Sequence, residues 1–151
     1  MRIDLLEAFG LDPNVIAILK EKYGAELLPI QERAFKEYQI LNGGNFLISA
    51  VTSSGKTLVG EILALHNGSK GKRVFYLVPT KALAEEKFEQ FHEDYEKAGI
   101  QTVISTHDRR EYDERIEGRR FHIAIIVYEK LHSLLVGNPK LLGDIGLVLV
   151  D

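Results

Sequence analysis

Short runs of consecutive apolar residues recur along the chain. Runs of this length without polar alternation are typical of strands that are covered on both faces, as in a parallel sheet. Five segments fit the pattern and are predicted to be strands: Asn45–Ala50, Lys72–Val78, Gln101–Ser105, Phe121–Val127 and Ile145–Asp151.

Between these runs, apolar residues recur every three or four positions, which is the pattern of an amphipathic helix. The first helix is predicted to follow Asp12, which can cap it, with Pro13 at its first position and Gly24 at its end. Further helices are predicted over Ile30–Asn42, Lys56–His66, Lys81–Ala98 and Glu129–Gly137.

The alternation of strands and helices predicts a single α/β domain that covers residues 1–151. We expect a helical region over residues 1–44 and a core that holds the sheet over residues 45–151. The length of 151 residues and the hydrophobic fraction of 45% are ordinary for one globular domain.

The sequence shows no feature that would direct it to a membrane. No apolar stretch approaches the roughly 20 residues of a membrane span, and the N-terminus lacks the pattern of a signal peptide. The chain has no cysteine, which agrees with a reducing compartment. We therefore expect no membrane partner and a cytoplasmic or nucleoid-associated location.

The charge pattern gives no sign of a protein-wide attraction to nucleic acid. The formal net charge is −3, so any such contact depends on local positive groups. The segment His107–Arg120 holds five arginines and five acidic residues, and we interpret it as a solvated, self-neutralised helix or loop.

The most informative segment joins strand Asn45–Ala50 to helix Lys56–His66, and it fits the pattern [AG]-x-x-x-x-G-K-[ST] of a phosphate-binding loop. Small residues let the backbone curl so that its N–H groups face phosphate oxygens, and the helix start favours an anion. Lys56 is predicted to contact the β and γ phosphates and Thr57 to bind magnesium. The predicted nucleotide-binding loop comprises Ala50, Val51, Thr52, Ser53, Ser54, Gly55, Lys56 and Thr57.

Four further segments, in order along the chain, resemble motifs of superfamily-2 DExH-box helicases. "LLPIQERAF" looks like the Q-motif and "VPTKALAEEK" like motif Ia, while "IIVYEKLHSLL" is similar to motif Ib and "LVLVD" to the start of motif II. In sequence, these motifs are most similar to those of the superkiller-like and archaeal repair branch of the family. This resemblance implies a P-loop NTPase of the RecA-like type, a three-layer domain with a mostly parallel sheet that is truncated at motif II.

The resemblance also implies roles for individual residues. Gln31 would read adenine, because an amide can pair with its N6 donor and N7 acceptor at once, which favours ATP over GTP. Asp151 would hold Mg²⁺, and Lys56, Thr57 and Asp151 would be the catalytic residues. Motifs Ia and Ib would contact single-stranded or partly duplex nucleic acid, DNA or RNA, through Thr80, Lys81, Tyr128 and Lys130.

The chain departs from the family pattern within its motifs. Val51 and Ser53 replace the proline and glycine that many members carry in the loop, and Ser53 restricts the backbone more than glycine does. His107 stands where a glycine often lies, and Val127 stands where threonine is usual, which puts one phosphate contact in doubt.

The chain ends at the first acid of motif II, so the family's next glutamate, the motif III strand and the second RecA-like domain are absent. We expect a fragment with unpaired sheet edges that binds ATP and does not unwind nucleic acid alone. The remainder of the helicase chain, comprising the rest of the first RecA-like domain and the second one, would be its partner.

Two other functions compete with that of a helicase. A non-catalytic nucleotide-binding or nucleic-acid-binding module stays open as an alternative. A phosphate-loop kinase or GTPase is disfavoured, because the chain has no Asn-Lys-x-Asp motif to read guanine and carries Gln31.

Overall fold

The first helix begins and ends where its capping residues predict. The computed structural model describes all 151 residues and places helix α1 at Pro13–Tyr23. The Asp12 carboxylate accepts the N–H groups of Asn14 at 2.8 Å and Val15 at 3.4 Å, and Gly24 follows the helix with φ +87°. The prediction of this helix is therefore confirmed.

The chain forms two units, Met1–His66 and Asn67–Asp151. The first begins with a 3₁₀ helix, Ile3–Phe9, and contains α1 and the short helix α2, Pro29–Glu32. The single predicted helix over Ile30–Asn42 is interrupted: α2 continues as a π-helical turn, Arg33–Glu37, and a 3₁₀ turn, Ile40–Asn42, follows. Gln39, at φ +49°, separates these two turns.

Helix α3 covers Lys56–Ser69. The second unit then alternates strands and helices: β1 Arg73–Val78, α4 Lys81–Tyr95, β2 Thr102–Ser105, α5 Asp113–Glu117, β3 Ile123–Val127, α6 Tyr128–Gly137 and β4 Ile145–Val150. The strands form one parallel sheet in the order β2-β3-β1-β4. This arrangement confirms the predicted α/β class with a parallel sheet.

Strands β1, β2 and β3 of the second unit are covered on both faces, which makes three layers. On one face, the buried Tyr76 of β1 meets Phe91 of α4 edge-on, with ring centroids 5.8 Å apart. On the other face, Phe75 stacks on Phe121 at 5.9 Å in a core that includes Leu134 of α6. Burial on both faces explains why these strands read as continuous apolar runs.

One predicted strand does not form. Residues 45–50 have no regular secondary structure, and the side chains of Phe46 and Leu47 are 47% and 96% exposed. An apolar run becomes a strand only when a neighbour pairs with its N–H and C=O groups, and no strand of the sheet β2-β3-β1-β4 pairs with residues 45–50. The prediction of a buried strand over Asn45–Ala50 is therefore wrong for this structure.

Strand β4 lies at the edge of the sheet and pairs only with β1. Its other edge has no neighbour, as expected from the sequence. One face of β4 is also uncovered, because Val148 and Val150, which point to the same face, are 46% and 68% exposed. Such an edge can pair with a further strand. None of the helices combines the length and the apolar character that crossing a membrane requires.

Candidate functional site

The loop Ala50–Thr57 makes a tight turn immediately before α3. Ser53 has φ +64° and Gly55 has φ +90°, so two of its residues lie in the left-handed region, and the 14-residue helix begins at Lys56. Ser53 therefore adopts a conformation that glycine reaches more easily, because glycine has no Cβ. The helix follows the loop as predicted, whereas the strand before it is absent.

The Lys56 ammonium group folds back across this loop. Its Nζ donates to the carbonyl oxygens of Ala50 at 2.6 Å and Val51 at 2.8 Å, which fastens the two arms of the loop together. The positive charge consequently lies beside the backbone groups that are predicted to surround a phosphate. Thr57, the predicted magnesium ligand, is exposed at the second position of α3.

Two features of the loop fit a phosphate ligand. The buried Ser54 hydroxyl has no hydrogen-bond partner, which is rare for a buried polar atom. A Cβ on Gly55 would lie 2.4 Å from Gln31 Nε2 and 2.9 Å from Leu28 Cδ1, so only glycine allows this close approach. The donor set of amides, hydroxyls and one ammonium group is suited to an anion.

Gln31 connects the Q-motif segment to the phosphate-binding loop. Its side chain is 3% exposed, Oε1 accepts the Leu28 N–H at 2.8 Å, and Nε2 donates to the Gly55 carbonyl at 3.1 Å. Both arms of the amide that was predicted to read adenine are thus engaged by backbone groups. The sequence did not indicate this contact, because the two partners are 24 residues apart.

In the second unit, Thr80 and Lys81 lie at the start of α4. The Thr80 hydroxyl accepts the Leu83 N–H at 3.2 Å, so the capping role is confirmed. Lys81 Nζ donates to Asp108 at 2.5 Å, and this hydrogen bond lowers the pKa of the Asp108 carboxyl below its usual value. Nucleic acid would have to compete with Asp108 for the Lys81 charge.

Lys130 differs from its predicted role. Its side chain is buried and its Nζ donates to Asp113 at 2.7 Å, while Asp113 also accepts the Ser105 hydroxyl at 2.6 Å. A buried and paired ammonium group cannot reach a phosphate in solution, which argues against Lys130 as a nucleic-acid contact. It ties α6 to α5 and to the end of β2.

Asp151 directly follows β4, and two tyrosines hold it. The Tyr76 hydroxyl donates to Asp151 Oδ2 at 2.8 Å, and the Tyr128 hydroxyl donates to the main-chain oxygen of Asp151 at 2.7 Å. The Asp151 N–H donates to the Leu77 carbonyl at 3.0 Å. Tyr76 was missed in the sequence, although a tyrosine inside an apolar strand is a sign of a buried hydroxyl with a partner. Tyr128 is 41% exposed.

The comparison with protein families agrees with this fold and with the order of the motifs. The model of the DEAD/DEAH box helicases matches residues 28–151, and the chain belongs to this family. The similarity to superfamily-2 helicases and the RecA-like α/β fold are thereby confirmed.

Among individual proteins, the chain is 38% identical over 141 residues to the ATP-dependent DNA helicase Hel308 of Pyrobaculum calidifontis. The aligned region covers 93% of this chain and 19% of that protein. Across the archaeal Hel308 relatives, the chain spans between 12% and 20% of their length.

Two solved structures show the same fold. The DUF1998 helicase MrfA matches with a TM-score of 0.75 and 26% identity over 93% of this chain and 23% of that one. A hypothetical ATP-dependent RNA helicase from Sulfolobus tokodaii matches with a TM-score of 0.73 and 18% identity over 93% of this chain and 41% of its own.

Proposed function

We propose that the chain is the ATP-binding part of the first motor domain of an ATP-dependent helicase, an enzyme that couples ATP binding and hydrolysis to the unwinding of nucleic acid. The observation that carries the proposal is the loop before α3, where the Lys56 ammonium group lies across the Ala50 and Val51 carbonyls. Membership of the DEAD/DEAH box family supports ATP as the nucleotide.

The loop would hold the phosphates through its backbone N–H groups and Lys56. The positive end of the α3 dipole and the ammonium charge both stabilise an anion here, and Ser54 offers an unpartnered hydroxyl. On binding, Lys56 would exchange the two carbonyl oxygens for phosphate oxygens. Each released hydrogen bond costs about 1 kcal/mol, which a contact between opposite charges offsets.

Magnesium would neutralise the phosphate charge when it is bound. Thr57 would supply a hydroxyl oxygen, and Asp151 would supply a carboxylate oxygen, both of which are suitable ligands for a hard cation. Tyr76 would orient the Asp151 carboxylate, since its hydroxyl already donates to Oδ2.

Gln31 remains our proposal for recognition of adenine. Its amide would have to release the Leu28 N–H and the Gly55 carbonyl, so entry of the base and rearrangement of the loop would be coupled. We expect ATP to bind more tightly than GTP, because guanine presents an acceptor where adenine presents a donor.

We propose DNA as the nucleic acid, because the Hel308 relatives are named as DNA helicases, with RNA as the alternative. Thr80 and Tyr128 are the remaining candidates for contact, and Lys81 would join them once it is released from Asp108. The other partner would be the remainder of a helicase chain, and we propose a cytoplasmic or nucleoid-associated location.

The test is the effect of Mg·ATP on thermal unfolding. At 100 times its dissociation constant a ligand stabilises the folded protein by about 2.7 kcal/mol, which corresponds to roughly 5–10 °C for about 150 residues. We expect this shift in the wild type, a smaller shift with GTP, and none in Lys56→Ala.

Lys36→Ala is the matched control, since it removes an exposed lysine whose ammonium group lies 3.6 Å from the Glu32 carboxylate. It should keep the full shift. An equal shift in wild type and Lys56→Ala, or no shift at millimolar ATP, would rule out nucleotide binding at this loop. In that case an oligonucleotide shift without any ATP shift would favour the non-catalytic module.

A further inference from the structure

The two ends of the parallel sheet in the second unit differ in charge. At the end where the strands finish, cations are paired with acids: Lys81 binds Asp108, and Arg109 forms ion pairs with Glu85 and Glu111. The arginines of the charged segment are thus partly neutralised here, as the sequence predicted.

At the opposite end, the segments before three of the four strands carry many cations and few acids. Residues 70–73, 114–120 and 140–144 lie before β1, β3 and β4, and together they hold seven cations and three acids. This leaves +4 in a chain whose net charge is −3. We call these seven cations the amino-end patch: Lys70, Lys72, Arg73, Arg115, Arg119, Arg120 and Lys140.

Contacts between backbone and guanidinium groups hold the loops of the amino-end patch together. Arg73 Nε donates to the Arg119 carbonyl at 2.7 Å, and Arg119 Nη2 donates to the Lys140 carbonyl at 3.4 Å. Because the acceptors are neutral main-chain carbonyl groups, these hydrogen bonds do not neutralise the guanidinium charges. Among the cations of the patch, only Arg119 has a carboxylate partner, Asp144.

The remaining charges are open to solvent. Lys70, Lys72, Arg120 and Lys140 are exposed and make no ion pair. Between the loops lies an open cleft of about 360 Å³, lined by Gly71, Lys72, Arg73, Gly143, Asp144, Ile145 and Gly146. Three of these seven residues are glycines, which leave the backbone accessible to a ligand.

The imidazole of His122 is partly buried and lies within the field of Arg73, one of the cations of the amino-end patch. Burial and the nearby Arg73 charge both lower the pKa of its imidazole below the usual value. Its Nδ1 accepts the Gln101 N–H at 2.9 Å, as a neutral ring does.

We propose that the amino-end patch binds the sugar–phosphate backbone of a nucleic acid. Exposed lysines and arginines without partners are the groups that neutralise phosphates and release counterions. Neighbouring strands lie about 4.8 Å apart, so the loops before β3, β1 and β4 span roughly 10 Å, a width over which more than one phosphate of a strand can be contacted.

A protein partner is less well matched to this surface. Protein interfaces have an apolar and aromatic centre from which charges are depleted. In the segments of the patch, Leu142 is the one large apolar side chain that is exposed. The surface lies at the opposite end of the sheet from Thr80 and Tyr128, so it adds a second contact to the proposed function.

The experiment measures binding of a fluorescent single-stranded oligonucleotide by anisotropy, as a function of salt and without nucleotide. The double variant Lys72→Gln/Lys140→Gln removes two exposed cations. The loss of two phosphate contacts lowers the slope of log K against log salt by about 1.4. At about 50 mM salt this amounts to a loss of affinity of up to roughly 60-fold.

The matched control is Arg33→Gln/Lys36→Gln, which removes the same charge from an exposed helical turn of the first unit. It should retain the wild-type slope, and all variants should unfold at similar temperatures. An unchanged slope in Lys72→Gln/Lys140→Gln, or an equal decrease in the control, would overturn the proposal. Binding of polyglutamate through the same lysines, without oligonucleotide binding, would show an acidic protein to be the partner instead.

A second measurement follows the His122 ring by NMR. A bound polyanion stabilises the imidazolium, so its pKa should rise on addition of the oligonucleotide. If the pKa stays unchanged at saturating oligonucleotide, the patch is not the binding surface. Neither measurement uses ATP. Failure of nucleotide binding in the Lys56→Ala experiment can therefore be distinguished from failure of nucleic-acid binding at the amino-end patch.

Discussion

Gly55→Ala tests the close contact between the Q-motif segment and the phosphate-binding loop. Gly55 lies at φ +90°, and a Cβ placed there would be 2.4 Å from Gln31 Nε2 and 2.9 Å from Leu28 Cδ1. Real side chains do not approach so closely, so the Gln31 amide would have to move. Its hydrogen bond to the Gly55 carbonyl would then be lost.

The expected destabilisation has two parts. A residue with a Cβ in the left-handed region costs about 1–2 kcal/mol relative to glycine. Displacement of the buried Gln31 amide leaves polar groups without partners, which costs about 1–3 kcal/mol more. Together these effects predict a decrease of about 3 kcal/mol in the free energy of unfolding of Gly55→Ala.

Gly99→Ala separates the two parts, because Gly99 lies in the left-handed region at φ +81° and has nothing within 4 Å of its added Cβ. It should lose only the backbone contribution, while the smaller entropy of unfolded alanine affects both variants equally. Urea unfolding should therefore place Gly55→Ala about 2 kcal/mol below Gly99→Ala, and the melting temperature about 4–8 °C lower. Equal stability of the two variants would refute the contact between Gln31 and the loop.

Three further predictions concern single residues. Ser53→Gly relieves the strain at φ +64° but adds unfolded-state entropy, so the free energy of unfolding should change by less than about 1 kcal/mol. The rise in melting temperature with Mg·ATP should persist, and its loss would reveal a role for the hydroxyl. Lys130→Met leaves the Asp113 carboxylate without its buried partner and should cost about 3 kcal/mol in urea unfolding; an unchanged midpoint would mean that Asp113 is solvated. The pKa of His122 is lowered by burial and Arg73, so the neutral ring stabilises the fold above the unfolded pKa of about 6.5, and this contribution is lost as pH falls towards the folded pKa. Unfolding between pH 7 and pH 5 should show that loss, and His122→Gln should lack it; identical pH profiles would contradict the assignment.

Much of the second unit could be predicted because its signals are local. The strands β1, β3 and β4 lie within the predicted apolar runs, and α4 begins at Lys81 after its Thr80 cap as expected. The apolar run and the capping hydroxyl act on neighbouring residues. Each is therefore visible in a short window of sequence.

The predictions that failed depend on partners distant in the chain. Asn45–Ala50 has the composition of a strand, but pairing requires a neighbour placed beside it, and no strand of the sheet pairs with these residues. The proposed contact of Lys130 with nucleic acid took no account of Asp113, 17 residues away, which accepts a hydrogen bond from its ammonium group. The break of the predicted helix over Ile30–Asn42 at Gln39 was likewise not visible in its apolar spacing.

The sequence by itself determined the order of small residues, glycine and lysine in the phosphate-binding loop, the helix that follows it and the apolar strands of the sheet. Only the tertiary structure decided which charges are neutralised and which are left to act. Lys81 is paired with Asp108, which is 27 residues distant, whereas Lys72 and Lys140 are brought to one end of the sheet with no acid to pair with them. Charge interactions depend on distance in space, and the parallel strands place residues from distant parts of the chain side by side.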